Sequence, residues 1–159
     1  MAPLGRRVTG DRRRRLTDSA TIHAGRIRVA KKNTPAVLVV DDDPDARGIY
    51  SSYLRMKGFV VFTGTDGRVA IDKAMNLGPD IIVMDLAMPR VDGFEAIRKI
   101  RASSWTRRIP IIAISAVPMS QEMALSAGCD AYLAKPVDPE ALRLQIMSML
   151  RLSNMPSPV

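Results

Sequence analysis

Four short apolar runs, each ending in a residue with polar chemistry, constrain this chain more than any other feature. Ala36-Val37-Leu38-Val39-Val40 leads into Asp41-Asp42-Asp43, and Ile81-Ile82-Val83-Met84 leads into Asp85. Ile111-Ile112-Ala113-Ile114 leads into Ser115, and Ala131-Tyr132-Leu133-Ala134 leads into Lys135-Pro136. Uninterrupted apolar runs of this length suit parallel strands covered on both faces. In an open parallel sheet, ligands bind in the crevice at the carboxyl ends of the strands. Carboxylates, a hydroxyl and an ammonium delivered to four such ends therefore describe one site, suited to a divalent cation and a phosphoryl group.

From Thr34-Pro35 onward the pattern alternates strand and helix five times. Strands are expected near 36–40, 59–63, 80–84, 110–114 and 131–134, and helices near 44–56, 66–77, 92–103, 119–127 and 138–152. Asp43-Pro44 and Asp138-Pro139 each set a carboxylate cap before a proline at the first helical position. Gly58, Gly78-Pro79 and Gly128 stand where helices should stop. The alternation predicts a doubly wound α/β sandwich with helices on both faces. On the last helix Leu142, Ile146, Met149 and Leu150 share the arc that would face the sheet. Leu144 and Met147 fall outside that arc, beside Arg143 and Arg151, and make a candidate partner surface.

Charge divides the chain. Residues 1–34 hold ten Lys/Arg against Asp11 and Asp18, whereas residues 35–159 hold 14 basic and 14 acidic side chains. All of the net +8 thus sits in an N-terminal arm that lacks a sustained apolar period and is expected to be disordered. The organisation expected is a basic arm over 1–34, one domain over 35–152 and a short frayed tail over 153–159. No run approaches the ~18 apolar residues of a membrane span, and no secretory leader is expected. The single cysteine, Cys129, excludes an internal disulfide and the multi-cysteine zinc patterns, which suits a cytoplasmic protein.

Asp41 and Asp42 converging with Asp85 would repel one another strongly without a cation. Hard oxygen donors with no histidine nearby favour Mg²⁺. A carboxylate so placed can also act as a nucleophile and form an acyl phosphate. Asp43 is expected to be chiefly a helix cap, Asp92-Gly93 a cap and turn, and His23 a solvated residue of the arm.

With these residues in place, the chain resembles the receiver domain of two-component response regulators, close in layout to the single-domain chemotaxis receivers. VLVVDDDPDAR (37–47), PDIIVMDLAMPRVDGFEAIRKIR (79–101), IPIIAISA (109–116) and AGCDAYLAKPVDPEAL (127–142) carry the resemblance, which covers about 35–152. It implies a flavodoxin-like, five-stranded parallel sheet in the order 2-1-3-4-5. It implies that Asp85 accepts a phosphoryl group from a histidine kinase or histidine phosphotransfer protein in a Mg²⁺-dependent reaction. Asp42 and Asp85 would then bind the metal directly, Asp41 largely through water, and the backbone carbonyl of Ala87 would add an oxygen. Lys135 would contact the phosphoryl group, with a cis bond before Pro136. Ser115 and Tyr132 match the family's switch pair, which biases the face built from the fourth helix, fifth strand and fifth helix toward a downstream protein. Ala87 and Val117 occupy positions that tune dephosphorylation in the family, and neither side chain can orient water. The resemblance further implies a phosphoprotein that catalyses only its own phosphorylation and dephosphorylation, as a monomer or a phosphorylation-linked dimer.

The leading expectation is a stand-alone phosphoacceptor. The alternative is a phosphorylation-independent, receiver-like adaptor whose basic arm contacts an anionic partner, nucleic acid among the candidates. Arg12–Arg15 lacks interleaved aromatics, so nothing in it points to base stacking. A hydrolase of the haloacid dehalogenase type fits poorly, because Asp45 stands where that motif wants Thr or Val.

Overall fold

The computed structural model describes residues 21–23, 26–28, 34–89, 92–116 and 121–153. The chain divides into two units, Met1–Lys32 and Asn33–Val159. In the first, strand β1 (Thr21–His23) pairs antiparallel with β2 (Arg26–Arg28), Ile22 opposite Ile27. The remainder of the arm expected to be disordered, including Arg12–Arg15, lies outside the described residues, as does the tail after Ser153.

The second unit runs β3 (Ala36–Val40), α1 (Pro44–Met56), β4 (Val60–Gly64), α2 (Gly67–Leu77), β5 (Ile81–Asp85) and α3 (Gly93–Ala102). It continues with β6 (Ile111–Ser115), α4 (Gln121–Ser126), β7 (Ala131–Ala134) and α5 (Pro139–Ser153). Every element lies within two residues of its expected limits. All sheet pairings are parallel, in the order β4-β3-β5-β6-β7. Numbered within this sheet alone, that is the expected 2-1-3-4-5.

Alternating side chains sort the strands' apolar residues onto two layers. Leu38, Val40, Ile82, Met84, Ile111 and Ala113 pack with Ala70 and Ala74 of α2, Ala96, Ile97 and Ile100 of α3, and Ala124 of α4. Val37, Val39, Ile81, Val83, Ile112 and Ile114 pack with Tyr50 and Leu54 of α1 and Leu142, Ile146, Met149 and Leu150 of α5. The central strands β5 and β6 are buried along their whole length, which is why they are apolar up to the polar residues, Asp85 and Ser115, that end them.

Aspartates start α1, α2, α3 and α5. Asp43 accepts from the Asp45 amide at 3.0 Å, Asp66 from Val69 at 2.9 Å, Asp92 from Glu95 at 2.7 Å and Asp138 from Glu140 at 2.9 Å. At the β4 edge the helices also blunt the strand. The Arg55 guanidinium of α1 donates to the Val61 carbonyl at 3.1 Å, and the Lys73 ammonium of α2 donates to the Thr63 carbonyl. Among the described residues no helix is long and apolar enough to cross a membrane.

Because Ile112 is wholly buried in a central strand, Ile112→Ala should cost about 2–5 kcal/mol. The check is a lower urea midpoint with an unchanged denaturant slope.

Candidate functional site

Strand order reverses between β3 and β5: the chain passes from β3 to β4 on one side, while β5 pairs with β3 on the other. That reversal opens a crevice at the carboxyl edge of the sheet. Asp41 follows β3 directly and is fully buried, and Asp85 ends β5 with 4% of its surface exposed. Asp42 is exposed beside them. Carboxylate oxygens of these three residues lie within 4.8 Å of one another.

Lys135 reaches the same point from the end of β7. Its ammonium donates to Asp41 Oδ2 at 2.7 Å and to Asp85 Oδ2 at 2.8 Å. The remaining oxygens of the buried pair are held by backbone. Asp43 N–H donates to Asp41 Oδ1 at 3.0 Å, and Ala87 N–H donates to Asp85 Oδ1 at 2.9 Å. The peptide bond between Lys135 and Pro136 is cis. The Lys135 amide donates to the Ser115 carbonyl at 2.9 Å, so the buried Ser115 adjoins the lysine through the β6–β7 pairing.

Burial pushes the Asp41 carboxyl above its ordinary range, against the opposing pull of Lys135. Burial also works against the charged form of Lys135. The hydrogen bonds and charges of Asp41 and Asp85 outweigh it and hold the ammonium above its usual value. Three neighbouring carboxylates are thus met by one ammonium, bonded to Asp41 and Asp85, an imbalance that a divalent cation would correct. The donors are all hard oxygens, so the residues fit Mg²⁺.

The other anticipated residues lie apart from this cluster. Tyr132 is half-buried on β7, opposite Ala113 in register, and packs against the layer of α2, α3 and α4. Leu144 is 55% exposed on α5. Met147 is half-buried: it packs at the margin of the layer of α1 and α5 and also lines a surface pocket with Leu144, Arg143 and Arg151. Val117 lies outside the described residues. Cys129 is buried, and that burial pushes its thiol up to about 11.

Three contributors escape a reading of the sequence. The Arg47 guanidinium donates to the Asp41 carbonyl at 2.7 Å and the Asp42 carbonyl at 3.4 Å, bracing the backbone of both acids. The Tyr50 hydroxyl donates to the Val137 carbonyl at 3.2 Å, just beyond Lys135. Gly93, which opens α3, lies against the phosphoacceptor candidate itself. A Cβ there would collide with the Asp85 carbonyl oxygen and come within 2.8 Å of the Leu86 Cα. A glycine in a first helical turn costs helix propensity, and that cost was the available signal that another backbone passes close by.

Residues 37–147 match the response regulator receiver domain family. The chain is 34% identical over 119 residues to the DNA-binding dual master transcriptional regulator RpaA of Synechocystis, covering 74% of this chain and 49% of that protein. It is 35% identical over 130 residues to the transcriptional regulatory protein TrcR of Mycobacterium tuberculosis, covering 81% and 50%. It thus spans about half the length of both. With an uncharacterized 14.6 kDa protein of Leptolyngbya boryana it shares 38% identity over 111 residues, covering 68% of this chain and 85% of that one. Among solved structures, the receiver domain of the sensor histidine kinase PA1611 of Pseudomonas aeruginosa is 33% identical with a TM-score of 0.69, covering 74% of this chain and 98% of that one. That structure carries a magnesium ion coordinated in its active-site cleft. The chemotaxis protein CheY4 of Vibrio cholerae is 31% identical with a TM-score of 0.68, covering 72% and 98%.

Because the two atoms nearest an added Cβ at Gly93 are backbone, a methyl there must displace β5 or α3. Gly93→Ala should destabilise the protein by about 1–3 kcal/mol. In NMR spectra the largest amide shifts should fall at Leu86 and Ala87.

Proposed function

The chain belongs to the response regulator receiver family, and we propose that it accepts a phosphoryl group on Asp85 from a histidine kinase or histidine phosphotransfer protein. One observation carries the reading: a single ammonium, that of Lys135, bonds both Asp41 and Asp85 at the mouth of the strand-order reversal. An ammonium so placed needs only a short movement to meet the oxygens of a phosphoryl group arriving on Asp85.

In the reaction a carboxylate oxygen of Asp85 attacks phosphorus. The P–N bond of the donor's phosphohistidine breaks, its electron pair returns to the imidazole, and an acyl phosphate forms on Asp85. Asp42 and Asp85 would hold Mg²⁺ directly, Asp41 through water, and the Ala87 carbonyl would complete the protein's oxygen set. The cation, when bound, offsets charge on the phosphoryl oxygens. Lys135 stabilises the same oxygens from the other side, and the Ala87 amide keeps the carboxylate oriented. Ser115 donates to the phosphoryl group once it is in place, with Tyr132 as its switch partner. The changed face of α4, β7 and α5, including Leu144 and Met147, then engages a downstream protein in the cytoplasm.

The relatives that match occur at two lengths, about one and a half times this chain in RpaA and somewhat shorter than it in the Leptolyngbya protein. We take the stand-alone form for this chain, and the mass of the protein isolated from cells tests it.

Incubation with phosphoramidate and Mg²⁺ should add one phosphoryl mass in an acid-stable, base-labile linkage. Asp85→Asn or chelation of the metal should abolish the adduct. Absence of the adduct with small donors and with kinase would instead favour a phosphorylation-independent adaptor. Ala87 is exposed two residues past Asp85 and offers an attacking water no side-chain hydrogen bond. The phosphorylated protein should therefore decay over minutes to hours, and Ala87→Asn should shorten its half-life several-fold. A half-life of seconds in the parent protein would refute the slow decay.

A further inference from the structure

We propose that Tyr50 is a positioning residue for Lys135, setting where the ammonium rests between the two buried carboxylates; the inference builds on the phosphoacceptor reading above. Tyr50 sits mid-way along α1 and is 6% exposed, its ring embedded in the apolar layer with Leu54, Leu142 and Ile146. An aliphatic side chain would fill that layer without bringing in a hydroxyl to be satisfied. The hydroxyl is satisfied by the Val137 carbonyl at 3.2 Å, in the loop Lys135-Pro136-Val137 that joins β7 to α5.

That loop is held on both sides of the lysine. Before the side chain branches, the Lys135 amide is fixed to the Ser115 carbonyl of β6. Two residues later, Tyr50 ties the loop to α1, the helix that follows Asp41 and Asp42. The same helix that carries the acids' backbone brace at Arg47 therefore also sets the distance to the ammonium. Tyr50 is close enough to feel the site's charges. Burial pushes its phenol up, Lys135 pulls it down, and Asp41 and Asp85 push it up again.

Tyr53, three residues further along α1, provides a matched comparison. Its hydroxyl donates to Glu140 Oε2 at 2.6 Å. That contact also joins α1 to the segment after β7, but in the first turn of α5 rather than in the lysine's loop.

Lys135 neutralises carboxylates whose charge a bound cation would also neutralise, and this gives mispositioning a distinctive signature. Freed from its resting place, the ammonium would compete less with Mg²⁺ and serve the phosphoryl group less well. Tyr50→Phe should therefore bind Mg²⁺ about threefold tighter, followed by the Leu86 and Ala87 amide shifts during a MgCl₂ titration. At saturating Mg²⁺ its phosphorylation by phosphoramidate should be about three- to tenfold slower. Tyr53→Phe should show neither change, and thermal unfolding of both variants checks that each is folded. If Tyr50→Phe weakens Mg²⁺ binding and slows phosphorylation together, the residue is merely structural and the proposal fails. It fails equally if neither quantity moves, if only one moves, or if Tyr53→Phe reproduces both. In each of those cases a wild type that still takes up phosphate leaves the phosphoacceptor reading standing. A wild type that no donor modifies overturns that reading and this proposal with it.

Discussion

Two carboxylates withdrawn from water around one ammonium set the terms for the rest of the molecule. Asp41 and Asp85 are almost wholly inaccessible, and Lys135 bonds both. Burying such charges carries a penalty of several kcal/mol per ion, which is tolerable only when each oxygen has a partner. Here each has one. Lys135 takes one oxygen of each acid, and the Asp43 and Ala87 amides take the others. The arrangement is nevertheless short of positive charge once Asp42 is counted, so it is stable enough to form and still suited to a cation. A pocket filled by charge-balanced pairs would have no such capacity.

The fold serves this cluster by bringing distant segments to one edge with little freedom. β5 and β6 are buried throughout, so the residues at their ends cannot shift without disturbing close-packed layers on both sides. Gly93 tightens the arrangement by letting α3 begin against the Asp85 carbonyl. On the lysine's side, β7 is shorter and only partly buried, and the segment after it depends more on discrete bonds, from the Lys135 amide to the Ser115 carbonyl and from the Tyr50 hydroxyl to the Val137 carbonyl. The site therefore combines a rigid acidic half with a basic half anchored by a few hydrogen bonds.

That division also explains what the sequence discloses. The strands and their terminal Asp41, Asp85, Ser115 and Lys135 are legible because burial on both faces demands unbroken apolar runs, and the first polar residue after each run marks the sheet's edge. The helix starts are legible because Asp before Pro or Gly has a local physical role. Tyr50, Arg47 and Gly93 are not legible in the same way. Tyr50 meets a carbonyl 87 residues away, and Gly93 is needed only because another backbone passes close to it. Met147 lies outside the helical arc that faces the sheet, yet packing at the margin of the α1 and α5 layer half-buries it. A periodicity describes one helix and cannot register its neighbours.

The same geometry bears on how a chemical event at Asp85 could be felt on the α4, β7 and α5 face. Lys135 is bonded through its side chain to the acids and through its amide to Ser115. Tyr132 lies three residues before it, on β7. A phosphoryl group that draws the ammonium off Asp41 would load β7, which like β4 at the opposite side is an edge strand with one strand neighbour in the sheet. Because β7 is paired only to β6, its displacement breaks fewer contacts than would that of β3 or β5. A small electrostatic change would thus act on a singly paired edge strand, which carries Tyr132 and is joined to α5 by the loop that holds Lys135. Signal direction would then follow from where the sheet is least constrained, with no need for a dedicated path through the core.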